Sequence, residues 1–195
     1  MSAFVLATAN EHKVDEMRSI LAPYDVELMP RPDEVPDVEE TEDTLEGNAL
    51  LKARALANAT GEAAIADDTG LFIDALAGRP GVHSARYAGA GVNFDENVKK
   101  VLGELRGVDV ADRRARFRTV IAVAYPNGES WWVDGVLEGT ILGGPKGNGG
   151  FGYDPIFAPV DEGGRSLAEL TMAEKNARSH RGHALRALVA KLASS

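Results

Sequence analysis

The chain has 195 residues, 44% of them hydrophobic, which is enough for one sizeable core and argues against two independent domains. It carries 21 basic and 30 acidic side chains, and the resulting net charge of −9 disfavours binding to an extended nucleic acid. The absence of cysteine excludes disulfides, thiolate zinc sites and cysteine nucleophiles.

No targeting or membrane-spanning segment is recognisable in the sequence. The first seven residues contain only a short apolar stretch, and no later run approaches the roughly 20 apolar residues that cross a bilayer. We therefore expect a cytoplasmic protein that binds no membrane. The proline-rich residues 30–36 are too few for an interdomain linker, so residues 1–195 are expected to form a single domain.

The amino-terminal segment has the pattern of a strand followed by a helix. Residues 4–8 are a short apolar run typical of a buried strand, and Val14, Met17 and Leu21 then recur at helical spacing. Residues 8–13 between them are therefore predicted to form a strand-to-helix turn.

A second helix is predicted from an apolar stripe that begins at Leu45. The stripe continues with Ala49, Ala53 and Leu56. Asp43 and Glu46 have the spacing of a capping box, and the helix is expected to end near Gly61. Glu39 and Glu40, just ahead of it, are candidate metal ligands, although the helix dipole alone also favours acidic residues at a helix start.

The next apolar run, residues 63–66, leads directly into Asp67 and Asp68. This pattern predicts a buried strand that ends at the two carboxylates, where α/β proteins place ligands. Charged residues next to a buried strand are uncommon unless a partner or a metal is present. Mg²⁺ prefers one or two carboxylates together with phosphate and water oxygens, so this acidic pair is a candidate magnesium site facing a triphosphate.

The second half of the chain predicts an antiparallel hairpin and a carboxy-terminal helix. Residues 117–125 and 131–142 are rich in β-branched and aromatic residues, and residues 126–128 between them, Pro-Asn-Gly, have hairpin-turn chemistry. Thr171 and Glu174 have capping-box spacing and start the helix. Its early turns carry Lys175, Ser179 and Arg181, and its buried stripe consists of Ala184, Leu185, Leu188 and Leu192.

Residues 147–152, GNGGFG, match the dinucleotide-binding pattern G-x-G-x-x-G, but that pattern must open a helix. Pro155 follows closely and disfavours a helix there, so a dinucleotide site is not supported. A glycine-rich surface loop and a close approach to a flat ligand both remain open.

The sequence contains no P-loop, so a triphosphate would have to be held by dispersed cations. The candidates are Lys13, Lys52, Lys175 and Arg181. Each of them alone is typical of a solvated surface charge. His180 and His183 lack the H-E-x-x-H pattern, so a zinc centre is not supported.

Six segments, in the same order and over nearly the whole chain, resemble the inosine triphosphate pyrophosphatase family. They are residues 8–13 (TANEHK), 46–53 (EGNALLKA), 66–71 (ADDTGL), 80–87 (PGVHSARY), 149–155 (GGFGYDP) and 174–181 (EKNARSHR). The resemblance implies a mixed α/β fold with an elongated central β-sheet flanked by helices, two lobes around an active-site cleft, and a homodimer. It also implies Mg²⁺-dependent hydrolysis of deaminated purine nucleotides (ITP, dITP, XTP and dXTP) to the monophosphate and pyrophosphate, which cleanses the nucleotide pool.

The resemblance also implies roles for individual residues. Asp68 matches the general base and magnesium ligand, Lys52 matches a catalytic lysine, and Glu40 or Glu39, with Glu40 preferred, matches a residue that assists the metal. The phosphate-binding loop falls on Thr8, Ala9, Asn10, Glu11, His12 and Lys13, and Thr69 matches a substrate contact. The residues matching the base pocket and the purine contacts are Phe151, Gly152, Tyr153, Asp154, Lys175, His180 and Arg181.

One position of the sequence departs from the family pattern. Ala9 stands where the family often carries glycine or serine, and its Cβ could crowd a backbone that approaches phosphate. A related pyrophosphatase acting on pyrimidine or modified nucleotides is the alternative among enzymes. A non-catalytic nucleotide-binding module is the alternative outside enzymes, and the presence of Asp68, Glu40 and Lys52 argues against it.

Overall fold

The computed structural model describes residues 2–8 and 10–194, which form five α-helices and a seven-stranded sheet with both parallel and antiparallel pairs. The predicted mixed α/β fold is therefore confirmed. The chain divides into two compact units. The first comprises Met1–Asp68, Thr119–Gly135 and Arg181–Ser195, and the second comprises Thr69–Arg118 and Val136–His180.

The strands are β1 (Ser2–Leu6), β2 (Val26–Met29), β3 (Ala64–Ile73), β4 (Pro80–Gly81), β5 (Arg114–Ala124), β6 (Ser130–Ile141) and β7 (Phe157–Pro159). The α-helices are α1 (Glu11–Leu21), α2 (Leu45–Thr60), α3 (Phe94–Glu104), α4 (Met172–Arg178) and α5 (His180–Ala193). No helix within the described part of the chain is both long and apolar enough to cross a membrane.

The sheet has the strand order β2-β1-β3-β5-β6-β7, and β4 pairs with β3. In the first unit β1 is parallel to both of its neighbours, with Val5 opposite Met29 of β2 and Ala64 of β3. In the second unit β6 and β7 are antiparallel, and so are β3 and β4. The predicted turn joins β5 to β6, where the Tyr125 amide donates a hydrogen bond to the Glu129 carbonyl at 2.9 Å.

Each unit has its own hydrophobic core, because apolar side chains on one face of each helix pack against the sheet. The core of the first unit consists of Phe4, Leu6, Met17, Ile20, Leu21, Ile65, Ile121, Val123, Ala184, Leu185 and Leu188. The core of the second unit includes Leu71, Ile73, Val98, Val101, Leu105, Phe117, Ile141, Ile156 and Phe157. The stripes predicted for α1, α2 and α5 are thus buried, except that Val14 of α1 and Leu192 of α5 are only partly buried against the first core.

The start of α2 differs from the sequence prediction. Thr44, not Asp43, is the N-cap, and its hydroxyl accepts a hydrogen bond from the Gly47 amide at 3.0 Å. Asn48 fixes the residue at which the helix begins, because its side chain makes two hydrogen bonds to the backbone of Glu42, at 3.0 and 3.1 Å. The helix ends as predicted at Gly61, which has the left-handed conformation.

The carboxy-terminal helix is broken into two, although the sequence predicted one. The capping box of Thr171 and Glu174 is confirmed at the start of α4. Ser179 then has an extended backbone, with ψ of 154°, which ends α4 and begins α5. Serine is favoured directly before a helix because its hydroxyl can accept hydrogen bonds from the free amides of the first turn. The spacing of apolar residues carries no such signal, so it could not reveal the break. As a result Lys175 and Arg181 lie on different helices.

The prediction that β3 ends at Asp67 and Asp68 is wrong. The strand continues to Ile73, so both carboxylates lie in its middle, with residue exposures of 2% and 5%. Leu71 continues the ladder by pairing with Gly81 of β4. Burial of two charges inside a strand is tolerated here because both carboxylates form ion pairs.

Candidate active site

Asp68, Lys52 and Glu40 form a compact charged cluster in the first unit. The Nζ of Lys52, on α2, lies 2.9 Å from Oδ1 of Asp68 on β3 and 2.8 Å from Oε1 of Glu40. One ammonium therefore bridges two carboxylates. Glu39 is exposed and makes no hydrogen bond or ion pair with the described residues, so the structure brings Glu40 and not Glu39 to this cluster.

The charges of this cluster set the proton affinities of its members. Burial raises the pKa of Asp68 to about 6, Lys52 opposes the increase, and Glu40 adds to it. Burial lowers the pKa of Lys52, but Asp68, Asp67 and Glu40 outweigh it and raise that pKa above its usual value. Lys52 therefore stays protonated, while Asp68 can accept a proton near neutral pH, which is the property of a general base.

Asp68 also has an oxygen that fits a metal ion. Its Oδ2 is buried and has no hydrogen-bond partner among the described residues, whereas buried polar atoms are normally paired. No group of three or more His, Asp or Glu side chains in residues 2–8 and 10–194 is arranged to hold a metal by itself. Mg²⁺ needs no such cage, since it is bound through one or two carboxylates and completes its shell with phosphate and water. Asp68 and Glu40 therefore fit Mg²⁺.

A second set of charges lies on the neighbouring residue of β3. The Oδ2 of Asp67 lies 2.9 Å from Nζ of Lys13 and 3.1 Å from Nη2 of Arg181. The other terminal nitrogen of Arg181 donates to Glu16 on α1. Burial alone would raise the pKa of Asp67, but Lys13, Arg181 and Lys52 hold it well below its usual range. Asp67 therefore remains ionised, in contrast to its neighbour Asp68.

The structure places Arg181 inside this network, with a residue exposure of 1%. Its predicted purine contact stays a prediction, because the contacts found here hold α1 and β3. Glu16 was not identified from the sequence, although one signal was present. It lies four residues before Ile20 on α1, and therefore on the buried face of the helix. A charged residue on such a face needs a buried partner.

The predicted phosphate loop forms the turn from β1 into α1. The Thr8 hydroxyl accepts from the Asn10 amide at 3.2 Å, and Asn10 caps α1 by accepting from the Lys13 amide at 3.4 Å. Glu11 and His12 are exposed on the first turn of the helix. Ala9, which was also predicted to belong to this loop, lies outside the described residues.

A cavity of about 210 Å³ in the first unit is lined by many of these side chains. Its lining includes Thr8, Lys13, Glu40, Lys52, Asp67 and Arg31. Five of these six residues were identified from the sequence, four as predicted site residues and Asp67 as a member of the acidic pair. Arg31 was not, because a lone arginine in a proline-rich segment has no pattern that separates it from a surface charge.

In the second unit, three residues predicted to belong to the base site, Phe151, Asp154 and Lys175, contact one another. The Nζ of Lys175 lies 2.7 Å from Oδ2 of Asp154 and 4.8 Å from the centre of the Phe151 ring. The same Asp154 oxygen accepts from the Phe151 amide at 2.8 Å. These contacts fix the lysine and the aromatic ring relative to each other.

The other predicted residues of this unit have more varied surroundings. Tyr153 is buried, and its hydroxyl donates to the Ser84 carbonyl at 2.8 Å. The ring of His180 stacks on Phe117, with centroids 4.7 Å apart and planes at 24°. Phe117 was expected only as a strand residue. Thr69 is half-buried on β3, next to Asp68.

Contacts within the chain explain two of the glycines of residues 147–152, Gly147 and Gly150. This segment is a turn, and a short 3₁₀ helix, Asp154–Ile156, follows it, so a dinucleotide-binding helix is absent from this part of the described chain. A Cβ on Gly147 would lie 2.5 Å from the backbone of Ala168. A Cβ on Gly150 would overlap the Asp154 carboxylate.

Gly150→Ala is therefore expected to destabilise the protein by about 1–3 kcal/mol, because Gly150 has φ of +67° and no room for a methyl group. Denaturant unfolding measures this loss. Gly144→Ala is the matched control, since a Cβ there meets nothing within 4 Å. Equal unfolding midpoints for the two variants would contradict the expectation.

The chain is similar to known proteins over nearly its whole length. The model of the Ham1 family matches residues 4–191. The dITP/XTP pyrophosphatase of Bacillus licheniformis is 46% identical over 194 residues, covering 98% of this chain and 98% of that protein. The solved structure of a HAM1 protein from Coxiella burnetii superposes with a TM-score of 0.90 at 44% identity, covering all of both chains. The Staphylococcus aureus Ham1 protein gives a TM-score of 0.87 at 38% identity, with 99% of each chain covered.

Proposed function

Because the chain belongs to the Ham1 family, we propose that it is a pyrophosphatase that hydrolyses dITP, ITP, XTP and dXTP to the monophosphate and pyrophosphate. Such an enzyme removes deaminated purine nucleotides before they are incorporated into DNA or RNA. The observation that carries the proposal is the buried carboxylate of Asp68, which has one oxygen on Lys52 and one without a partner in the described chain.

Mg²⁺ is the cofactor that we propose, held by Asp68 and Glu40 together with phosphate oxygens of the substrate. The bound ion supplies positive charge that neutralises the triphosphate and its pyrophosphate leaving group. Lys52 positions both carboxylates, since its ammonium forms an ion pair with an oxygen of each.

In the proposed reaction Asp68 takes a proton from a water molecule whose oxygen attacks the α-phosphorus. The bond between that phosphorus and the oxygen bridging to the β-phosphorus breaks, and the bridging oxygen leaves with pyrophosphate. A pKa of about 6 leaves most Asp68 carboxylates ionised at neutral pH and able to accept the proton. Lys13 and Lys52 contribute positive charge that stabilises the transition state.

Binding of the triphosphate is proposed to use the turn between β1 and α1. Amide groups at the start of a helix point towards solvent and favour anions, and the side chains of Thr8, Asn10 and Lys13 surround this start. The exposed Glu11 and His12 belong to the same predicted loop.

Recognition of the purine is proposed to use residues of the second unit. Phe151 offers an aromatic face on which a base can stack; Asp154 holds its backbone amide, and the Lys175 ammonium lies over its ring. The remaining proposed contacts are Thr69, Gly152, Tyr153, His180 and, from the first unit, Arg181. A site that donates hydrogen bonds to the 6-oxo group rejects a 6-amino group, because buried donors would then be left unpaired.

Substrate profiling tests this function. With Mg²⁺ present, pyrophosphate release from dITP and XTP should exceed release from dATP by about 10–100-fold in kcat/KM, since each unpaired donor costs about 1–3 kcal/mol. Release from dGTP, which also has a 6-oxo group but adds a 2-amino group, shows whether the site excludes the 2-amino group sterically. Comparable rates on all four nucleotides would contradict the specificity. Binding of dITP without release would favour a non-catalytic module, and faster release from a pyrimidine triphosphate would favour the related pyrophosphatase.

Two further properties are proposed on the family resemblance: assembly as a homodimer and location in the cytoplasm. Sedimentation equilibrium measures the first directly. A mass of about twice the chain mass of 20.7 kDa is expected.

A further inference from the structure

Arg31 lines the cavity of the first unit, together with Lys13 and Lys52. It lies between Pro30 and Pro32 in the segment that follows β2. Proline restricts the backbone on both sides of the arginine, so less conformational freedom is lost when its side chain binds a ligand. The Arg31 side chain is only 18% exposed, and its guanidinium donates to Asp37.

The three cations that line the cavity differ in the exposure of the carboxylate from which each would move on binding a ligand. Lys13 is paired with Asp67, whose side chain is 0% exposed, and Lys52 is paired with Asp68, whose side chain is 7% exposed. Moving an ammonium away from a buried carboxylate breaks a desolvated ion pair and is costly, even though Asp67 keeps its contact with Arg181. The partner of Arg31 is different, because the Asp37 side chain is 83% exposed.

An exposed carboxylate that loses its ion pair is simply hydrated, and exposed ion pairs contribute little to stability. Arg31 can therefore transfer from Asp37 to a ligand in the cavity at small cost. Its guanidinium presents a planar set of donors that matches two phosphate oxygens, whereas the hydrogen bond to Asp37 comes from one of its nitrogens, Nη1.

We propose that Arg31 binds the polyphosphate chain of the substrate, and that Asp37 holds the guanidinium in place until the anion displaces it. The proposal rests on the proposed function for its substrate class. It assigns a role to the segment between β2 and α2, in which sequence patterns indicated only candidate metal ligands near its end.

Calorimetric titration with inorganic tripolyphosphate and Mg²⁺ tests the proposal without requiring turnover. Arg31→Gln should weaken binding about 10-fold, since a charge-assisted hydrogen bond is lost. Arg31→Lys should fall between Arg31→Gln and the unchanged protein, because the charge is kept and the fork of donors is lost. Arg18→Gln is the matched control, because Arg18 is exposed on α1 and does not line the cavity.

Asp37→Asn should tighten tripolyphosphate binding, because the competitor for Arg31 is removed. Asp33→Asn removes the same charge from the same segment without touching Arg31, so it corrects for the general reduction in negative charge. The proposal requires that Asp37→Asn tighten tripolyphosphate binding more than Asp33→Asn does. Thermal unfolding of each variant checks that the fold is retained.

The possible results separate this proposal from the proposed function. If Arg31→Gln binds tripolyphosphate as tightly as the unchanged protein does, or if the unchanged protein does not bind it, the role of Arg31 is overturned. Pyrophosphate release from dITP by the unchanged protein is measured in a separate assay. Arg31-dependent binding without any release would overturn the proposed function and leave the role of Arg31 standing.

Discussion

Asp68→Asn is expected to lower kcat for pyrophosphate release from dITP by about 10³-fold, because positioned general bases contribute about 10²–10⁴-fold and one ligand charge for Mg²⁺ is lost as well. The substitution keeps the shape of the side chain and its contact with Lys52 while removing the proton acceptor. Release is measured at saturating dITP and excess Mg²⁺, so that weaker metal binding does not by itself account for the loss.

The structure also provides a way to separate this loss from unfolding. The folded-state pKa of Asp68 is raised by burial, so ionised Asp68 lowers stability as the pH rises through the unfolded and folded pKa values. At neutral pH the uncharged asparagine should therefore unfold at the same temperature as the unchanged protein or at a higher one. Glu39→Gln, at an exposed position, should leave kcat unchanged. Turnover of Asp68→Asn within a few fold of the unchanged protein would exclude Asp68 as the base.

The second large effect concerns stability. Arg181→Met is expected to lower the free energy of unfolding by about 3–5 kcal/mol, because it leaves Glu16 as a buried charge without its guanidinium and removes one of the cations around Asp67. Guanidinium chloride unfolding followed by tryptophan fluorescence measures the change. Trp131 and Trp132 both belong to the first unit, as does Arg181, so the signal reports on the unit that is perturbed.

Two companion variants make this prediction specific. Adding Glu16→Gln to Arg181→Met removes the carboxylate that has lost its guanidinium and should recover part of the loss, which a purely steric effect of the methionine would not allow. Arg18→Met, on the exposed face of the same helix as Glu16, should change stability by no more than about 0.5 kcal/mol. A loss for Arg181→Met as small as that would show that the network contributes little.

Elements that depend on local spacing were predicted well from the sequence. The helices α1 and α2, the hairpin turn and the capping box at Thr171 follow from apolar periodicity and turn chemistry, and the structure confirms them. The resemblance to the inosine triphosphate pyrophosphatase family is confirmed by the Ham1 family match and by the dITP/XTP pyrophosphatase relatives. The arrangement of two lobes around a cleft stays a prediction.

What could not be predicted depends on contacts between distant parts of the chain. Asp67 and Asp68 resemble the end of a strand locally, but they lie inside β3 because cations from other elements compensate them. Arg181 and Glu16 are 165 residues apart, so no local pattern identifies either as a partner of the other. The same holds for Arg31, whose place in the cavity depends on the path of the whole segment after β2.

The first unit is assembled from three separate stretches of the chain, and the last of them, Arg181–Ser195, includes nearly all of α5. During synthesis Asp67 precedes Arg181 by 114 residues, which corresponds to about 6–23 s at roughly 5–20 residues per second. For that time a nascent chain holds Glu16 and Asp67 without the guanidinium that joins them in the finished fold. We therefore expect that a ribosome stalled before residue 181 carries a first unit that proteases still cleave, and that its protection appears only when the final helix has emerged.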